Sequence, residues 1–208
     1  KSLLKIIQRC NSPRNYYYKP RISLPEISEL NEHKDLIAIT GHPGSTLADC
    51  LFLNVDKAFN ATNYEEARAC ANAADWLQVL TQCYSLHVDV FGKENVKVEI
   101  QRMDEERLFM AQVLNKALRA FAPKVRAQSI ATNDPHYVNK DDAILQRILL
   151  CGRMKTTMGK VREKLANAED VGMGGFFKSD NYYILSPQEM AKLHTEVELK
   201  ATLEVAEM

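Results

Sequence analysis

An α/β fold with parallel strands is what this sequence predicts, and three observations predict it. Leu36-Ile-Ala-Ile-Thr40 is a short apolar run halted by Gly41 and Pro43, and Val96-Lys-Val-Glu-Ile100 alternates with period two. Each run is followed by apolar residues at helical spacing. Strand, helix, strand, helix in that order builds a parallel sheet whose crossovers are helices. Ligands gather beyond the carboxyl ends of such strands, so the residues just after each strand are the first candidates for chemistry.

The elements follow in order. Leu3, Leu4, Ile6 and Ile7, interleaved with Lys5 and Gln8, predict a helix already under way at Lys1, and a start on Lys rather than Met leads us to expect a piece upstream. Tyr16-Tyr-Tyr-Lys19-Pro20-Arg21-Ile22 predicts a strand end or loop, because Pro20 opposes helix. The first strand is expected over 36–40. Thr62-Asn-Tyr-Glu65 has the form of a capping box and opens a helix over 62–84, along which Ala67, Cys70, Ala71, Ala74 and Leu77 recur. After a strand over 96–101, Asp104 is expected to cap a helix over 104–121 with Leu108, Ala111, Leu114 and Leu118 on its apolar face, ending before Pro123. Val125 to Thr132 reads as the third strand, centred on 127–132. Asp141 or Asp142 then starts a helix over 141–151 with Ile144, Ile148 and Leu149 on one face.

Residues 152–185 break the pattern with Arg153, Lys155, Lys160, Arg162 and Lys164, followed by Gly172, Gly174 and Gly175. This basic, Gly-rich excursion separates a first unit, 1–151, from a last one, 186–208. There Ser186-Pro-Gln-Glu189, with Pro187 at the first helical position, opens one helix over 187–206 through Met190, Leu193 and Val197, packing back on the domain.

Composition narrows the function classes. With 27 Lys+Arg against 27 Asp+Glu the formal net charge is zero, so any nucleic-acid contact has to be local. No apolar run approaches the roughly 18–20 residues that cross a bilayer, and the N-terminal stretch lacks a signal-peptide core. A cytoplasmic protein with no membrane partner is expected. Cys10, Cys50, Cys70, Cys83 and Cys151 are odd in number and nowhere spaced C-x-x-C, which encodes neither a disulfide framework nor a zinc knuckle.

Ile130-Ala-Thr-Asn-Asp-Pro-His-Tyr137 carries the most chemistry, because it sets Asp134 and His136 two apart just past the third strand. In extended chain, residues i and i+2 share a face. A carboxylate and an imidazole can then meet at one cation, a donor pair suited to Zn²⁺, Mn²⁺ or Fe²⁺. The same string also reads as a turn, since Asn-Asp-Pro initiates turns. Arg153, Lys155, Lys160 and Arg162 likewise have two readings, a phosphate-contacting patch for DNA or a solvated loop. Glu99 is expected to face solvent. His33, in a polar connection, His87, at a helix end, and His194, within a helix, are expected to be surface or packing residues.

Six strings occur here in a telling order: Tyr18-Lys-Pro-Arg-Ile22, Leu36-Ile-Ala-Ile-Thr-Gly41, Glu99-Ile-Gln101, Ala131-Thr-Asn-Asp-Pro-His-Tyr137, Leu149-Leu-Cys151 and Leu185-Ser-Pro-Gln-Glu-Met190. Along nearly its whole length the chain resembles the later part of the polymerase-and-histidinol-phosphatase (PHP) domain of C-family replicative DNA polymerase III alpha subunits, of bacterial or phage type. The resemblance implies a partial or distorted (βα)7 PHP-type barrel. It matches Asp134 and His136 to the last two metal ligands of the family pattern. It also matches His42 to a position where metal-binding relatives carry a ligand Cys. Imidazole can replace thiolate there, making Mn²⁺ or Fe²⁺ more competitive with Zn²⁺, although His42 beside Pro43 also reads as a turn residue. Arg102 and Met103 stand where the family often has His. The family's opening His and Asp ligands would lie upstream of Lys1.

From this resemblance two functions are expected. One is a scaffold in DNA replication, with a partial or vestigial metal site. The other is half of a metal-dependent 3′–5′ exonuclease or phosphoesterase centre completed by upstream or partner residues. The isolated chain is expected to be inactive in either case, and the polymerase's nucleotidyltransferase chemistry belongs to a following palm domain. Expected partners are the rest of a polymerase alpha subunit or an upstream PHP half, DNA, and a proofreading subunit.

Overall fold

The computed structural model describes residues 1–32, 34–166 and 179–208. Its elements run α1 (Ser2–Cys10), β1 (Tyr16–Tyr17), β2 (Lys19–Pro20), α2 (Leu24–Leu30), β3 (Ala38–Thr40), α3 (Thr46–Leu51), α4 (Val55–Phe59) and α5 (Tyr64–Ala69). They continue with α6 (Trp76–Phe91), β4 (Val96–Gln101), α7 (Phe109–Val125), β5 (Gln128–Thr132), α8 (Ala143–Arg153), α9 (Met158–Ala166), α10 (Pro187–Leu193) and α11 (Glu196–Ala206). The larger sheet has the order β3-β4-β5, and both pairings are parallel. The expected α/β class and the parallel relation of the three strands therefore hold. Among the described residues this sheet is open and three-stranded, and the only other one is the antiparallel pair β1-β2.

Period-two alternation in β4 separates two faces that are both buried. Val96, Val98 and Ile100 turn to one side, where they join Leu80 and Tyr84 of α6 and Met110, Leu114, Leu118 and Phe121 of α7 in the main core. Each such side chain contributes about 1.5–3 kcal/mol through burial. Lys97, Glu99 and Gln101 turn to the other side and are buried too, the Lys97 and Glu99 side chains with hydrogen-bond partners. Lys97 Nζ donates to Gln128 Oε1 at 2.6 Å, Thr132 Oγ1 donates to Glu99 Oε1 at 2.5 Å, and Asn115 Oδ1 accepts from the Gln101 N–H at 3.4 Å. Glu99 thus does not face solvent as expected, because its strand is the middle one and its carboxylate has a hydroxyl partner.

Three expected helices have different bounds, each for a visible reason. The 62–84 run is two helices, since residues 70–72 turn their backbone groups to a neighbour: Leu53 N donates to Cys70 O at 2.9 Å and Asn72 N to Leu51 O at 2.8 Å. Its cap is also displaced, with Asn63 accepting from Glu66 N while Thr62 donates to the Glu66 carboxylate. The helix expected from 104 begins at Phe109, because residues 104–107 form a turn in which Arg107 N and Leu108 N donate to Asp104 O. It continues past Pro123 and stops at Arg126, which takes a left-handed φ of 54°. The third strand consequently starts at Gln128, not Val125. Finally, 187–206 divides at His194, because Thr195 caps a new helix and forms a reciprocal box with Glu198.

The C-terminal helices are tied to the sheet by buried polar links. Thr202 Oγ1 accepts from Ala131 N at 2.9 Å and donates to Ala131 O at 2.8 Å, standing in for a neighbouring strand along the outer edge of β5. Arg119 of α7 makes a two-pronged bond to Glu198 of α11, 2.7 Å on each prong. Arg102, at the end of β4, pairs with Glu105 at 2.6 Å and donates to the Leu193 carbonyl of α10. His194 is not on a helix face as expected but in the bend between α10 and α11, its side chain 0% exposed and Nδ1 3.6 Å from Glu198 Oε2.

The α8–α9 pair has a satellite core of its own, Leu150, Cys151 and Val161 with Met154 and Met158 against it. Ile144 and Ile148 of α8 remain 42% and 52% exposed, so the apolar face expected there is not the buried one. The Gly172, Gly174 and Gly175 part of the expected excursion lies outside the described residues. Among those described, no helix is long and apolar enough to cross a membrane.

Candidate functional site

The carboxyl ends of β3, β4 and β5 open into three short segments that bear the side chains of interest. After β3 the chain turns sharply at Gly41, whose φ of +148° L side chains rarely adopt and where a Cβ would lie 2.1 Å from the Glu99 carbonyl oxygen. Only glycine lets the β3 end cross β4 this closely. The exposed His42 follows, and its Nδ1 accepts the Gly44 N–H at 2.9 Å. A backbone N–H can only donate, so the neutral ring carries its proton on Nε2. His42 is therefore held as a turn residue, with neither nitrogen offering a free lone pair while that bond stands.

After β5, Asp134 Oδ2 and His136 Nε2 lie 3.2 Å apart. Their loop is fixed by a second segment running beside it. His136 N donates to Tyr182 O at 2.8 Å, Asn133 Nδ2 to Tyr183 O at 2.7 Å, and Tyr182 N to the Tyr137 hydroxyl at 3.2 Å. The Tyr182 ring meets the His136 ring edge-on at 5.7 Å, and its hydroxyl donates to Asp104 Oδ2 at 2.8 Å. Burial first, and then the Asp104 charge, drive the Tyr182 hydroxyl far above its ordinary pKa, so it remains a proton donor at any physiological pH. Asp104 and Tyr182 were not among the expected site residues. Asp104 reads in the sequence as a helix cap, and nothing around Tyr182 marks it, because the pairing spans 78 residues.

The structure therefore brings Asp134 and His136 together and keeps His42 in its own turn. Among the described residues no three His, Cys, Asp or Glu side chains are gathered as a metal-holding group. Zinc sites use three or four protein ligands. Carboxylate and imidazole are the right donor types for Zn²⁺, Mn²⁺ or Fe²⁺, but two donors fall short of that number. Arg102, standing where the resemblance offers His, is committed to Glu105 and the Leu193 carbonyl.

The other expected residues are distributed elsewhere. Arg153 ends α8, Lys155 follows in a turn with φ 53°, and Lys160 and Arg162 lie on α9; all four are exposed. His87 lies inside α6 and is buried, its Nδ1–H donating to Cys83 O at 2.8 Å while Nε2 accepts from Thr46 Oγ1 at 3.1 Å. His33 lies outside the described residues.

No family model matches the chain. Comparison with individual proteins is more informative. The chain is 29% identical over 199 residues to the DNA polymerase III subunit alpha of Thermus aquaticus, an alignment covering 93% of this chain and 13% of that protein. The sequence is related to DNA polymerase III alpha subunits. That of Deinococcus radiodurans is 28% identical across 85% of the chain and 10% of its own length. That of Borreliella burgdorferi is 24% identical across 100% of the chain and 15% of its length. The chain thus spans between a tenth and a sixth of these alpha subunits. The relation extends over both the sheet and the C-terminal helices, so the frame that positions Asp134 and His136 belongs to the shared segment.

Proposed function

We propose that this chain is a PHP-type segment of a DNA polymerase III alpha-like replicative polymerase and acts in DNA replication as a scaffold, with Asp134 and His136 the remnant of a metal site. The single observation that carries this reading is the near-complete coverage of the chain by a small part of much longer alpha subunits. The sheet supports it too. Its β5 edge is covered by Thr202, whereas β3 is the other edge of the sheet, so further barrel strands from an upstream half would add beside β3. Two well-placed donors, a His42 engaged in its turn and an Arg102 engaged in an ion pair all favour support over catalysis.

The test uses the longer native protein, wild type and Asp134→Asn, assayed for bound Zn, Mn and Fe and for degradation of single-stranded DNA. Neither protein is expected to degrade DNA, and polymerase activity should be equal in both. Degradation that depends on added metal and disappears in Asp134→Asn would establish the exonuclease alternative instead.

DNA contact is part of the same reading. In it Arg153, Lys155, Lys160 and Arg162 meet phosphates without reading bases. Neutralising Lys160 and Arg162 together is expected to weaken DNA binding uniformly across sequences and to lower the slope of log K against log salt by about 2. An unchanged slope in a folded variant would assign these residues to a solvated surface.

A further inference from the structure

Away from the carboxyl end of the sheet, α3 and α6 bring two thiols together. Thr46 of α3 donates to His87 of α6 at 3.1 Å. One turn onward along α3 is Cys50, and one turn back along α6 is Cys83, so the next pair in these facing rows is cysteine against cysteine. Cys50 accordingly packs against the core cluster that holds Cys83, and both the Thr46 hydroxyl and the Cys50 thiol are near enough to Cys83 to act on its thiol. Neither cysteine is in a disulfide, Cys50 is half-buried, and Cys83 is buried.

We propose that Cys50 and Cys83 are an oxidisable dithiol that closes to a disulfide on reaction with a small-molecule disulfide such as oxidised glutathione. Cys50, the accessible member, attacks as thiolate and displaces one glutathione thiolate, which takes up a proton. Cys83 then gives its proton to water and attacks Cys50 Sγ in the mixed disulfide, releasing the second glutathione. Two protein thiols are oxidised and one glutathione disulfide is reduced to two thiols. The new bond would fasten α3 to α6. Since α3 starts just after the His42 turn, with Ser45 as its cap, oxidation would also fix that turn against the core.

The second step sets the pace. In the reduced pair burial, and after it the neighbouring Cys50 thiol, push Cys83 up to about 11 against the opposing pull of the Thr46 hydroxyl, and burial, the largest of these causes, persists in the mixed disulfide. Below that value the attacking thiolate increases about tenfold per pH unit.

The experiment treats the full 208-residue chain carrying Cys10→Ser, which removes the other half-buried thiol, with oxidised glutathione near pH 7 and near pH 9. Intact mass and peptide mapping are followed with time. Expected are a glutathione adduct on Cys50 that accumulates near pH 7, its faster collapse near pH 9, and a final product lighter than the reduced chain by two hydrogens with Cys50 joined to Cys83. Cys83→Ala should stop at the adduct, and Cys50→Ser should yield no cross-linked peptide. A folded parent chain that retains the Cys50 adduct near pH 9, forms no adduct, or cross-links another pair would overturn the proposal.

Discussion

Phe121→Ala is expected to destabilise the protein by about 3–5 kcal/mol, read as a lower urea midpoint with an unchanged slope. Phe121 is 0% exposed and meets Tyr84 edge-on at 5.7 Å, so its ring joins α7 to α6 across the apolar face of β4. Truncation removes the transfer free energy of the ring and leaves a cavity, because interiors this dense relax only in part. At about 2–4 °C per kcal/mol for a chain of this size, the thermal midpoint should fall by about 6–20 °C. Val197→Ala is the control. Val197 is 77% exposed, and its loss should fall within about 0.5 kcal/mol of zero. A Phe121→Ala protein less than about 1 kcal/mol weaker than wild type would mean that the sheet does not depend on this contact.

The parts of the fold that the sequence reveals are those held by local rules. Alternation in Val96–Gln101 and the apolar run ending at Thr40 find β4 and β3, and the parallel arrangement follows from the helices between them. Boundaries fail where a distant partner competes for the backbone, as at residues 70–72, whose groups pair with Leu51 and Leu53. The break at His194 was legible, since Thr195-Glu-Val-Glu198 is itself a capping-box string, but unbroken helical periodicity on both sides masks it.

At the site the same division appears. Asp134 and His136, two apart in the sequence, lie 3.2 Å apart in the loop after β5. The strap that holds them, Asn181–Tyr183 with its link to Asp104, depends on contacts dozens of residues apart and leaves no local trace. His42 illustrates the opposite case, in which a side chain suited to metal is captured by the nearest backbone N–H, from Gly44.

Arg119→Met is expected to cost about 3–5 kcal/mol, because it leaves the Glu198 carboxylate buried without its cation. Glu198 has a side chain 6% exposed, against 32% for Arg119, so the loss is asymmetric: Glu198→Gln leaves an arginine that can turn to water and should cost distinctly less. Burial pushes the Glu198 carboxyl up, but the Arg119 hydrogen bonds, the Thr195 N–H and the nearby cations outweigh it and hold the group below its ordinary 4.5. A carboxyl depressed on folding contributes stability that is full above its unfolded value and is lost as pH falls through the folded one. His194 adds an earlier loss with the same sign. Burial, reinforced by Arg119 and Arg102, draws its pKa below 6.5 despite Glu198, so the unfolded chain binds the proton first and stability declines as pH drops below 6.5. Urea midpoints should therefore fall in two stages on acidification, below 6.5 and again below 4.5, with a slope near about 1.4 kcal/mol per pH unit for each proton. His194→Gln should flatten the first stage and Arg119→Met the second. Since α10 also holds Arg102 through Leu193 and the Tyr183 hydroxyl through Glu189, the C-terminal helices and the strap over Asp134 and His136 should loosen together. Amide exchange at Tyr182 and at the α11 amides should accelerate in parallel across the first stage. Exchange that rises in α11 alone would uncouple the site from this buried network.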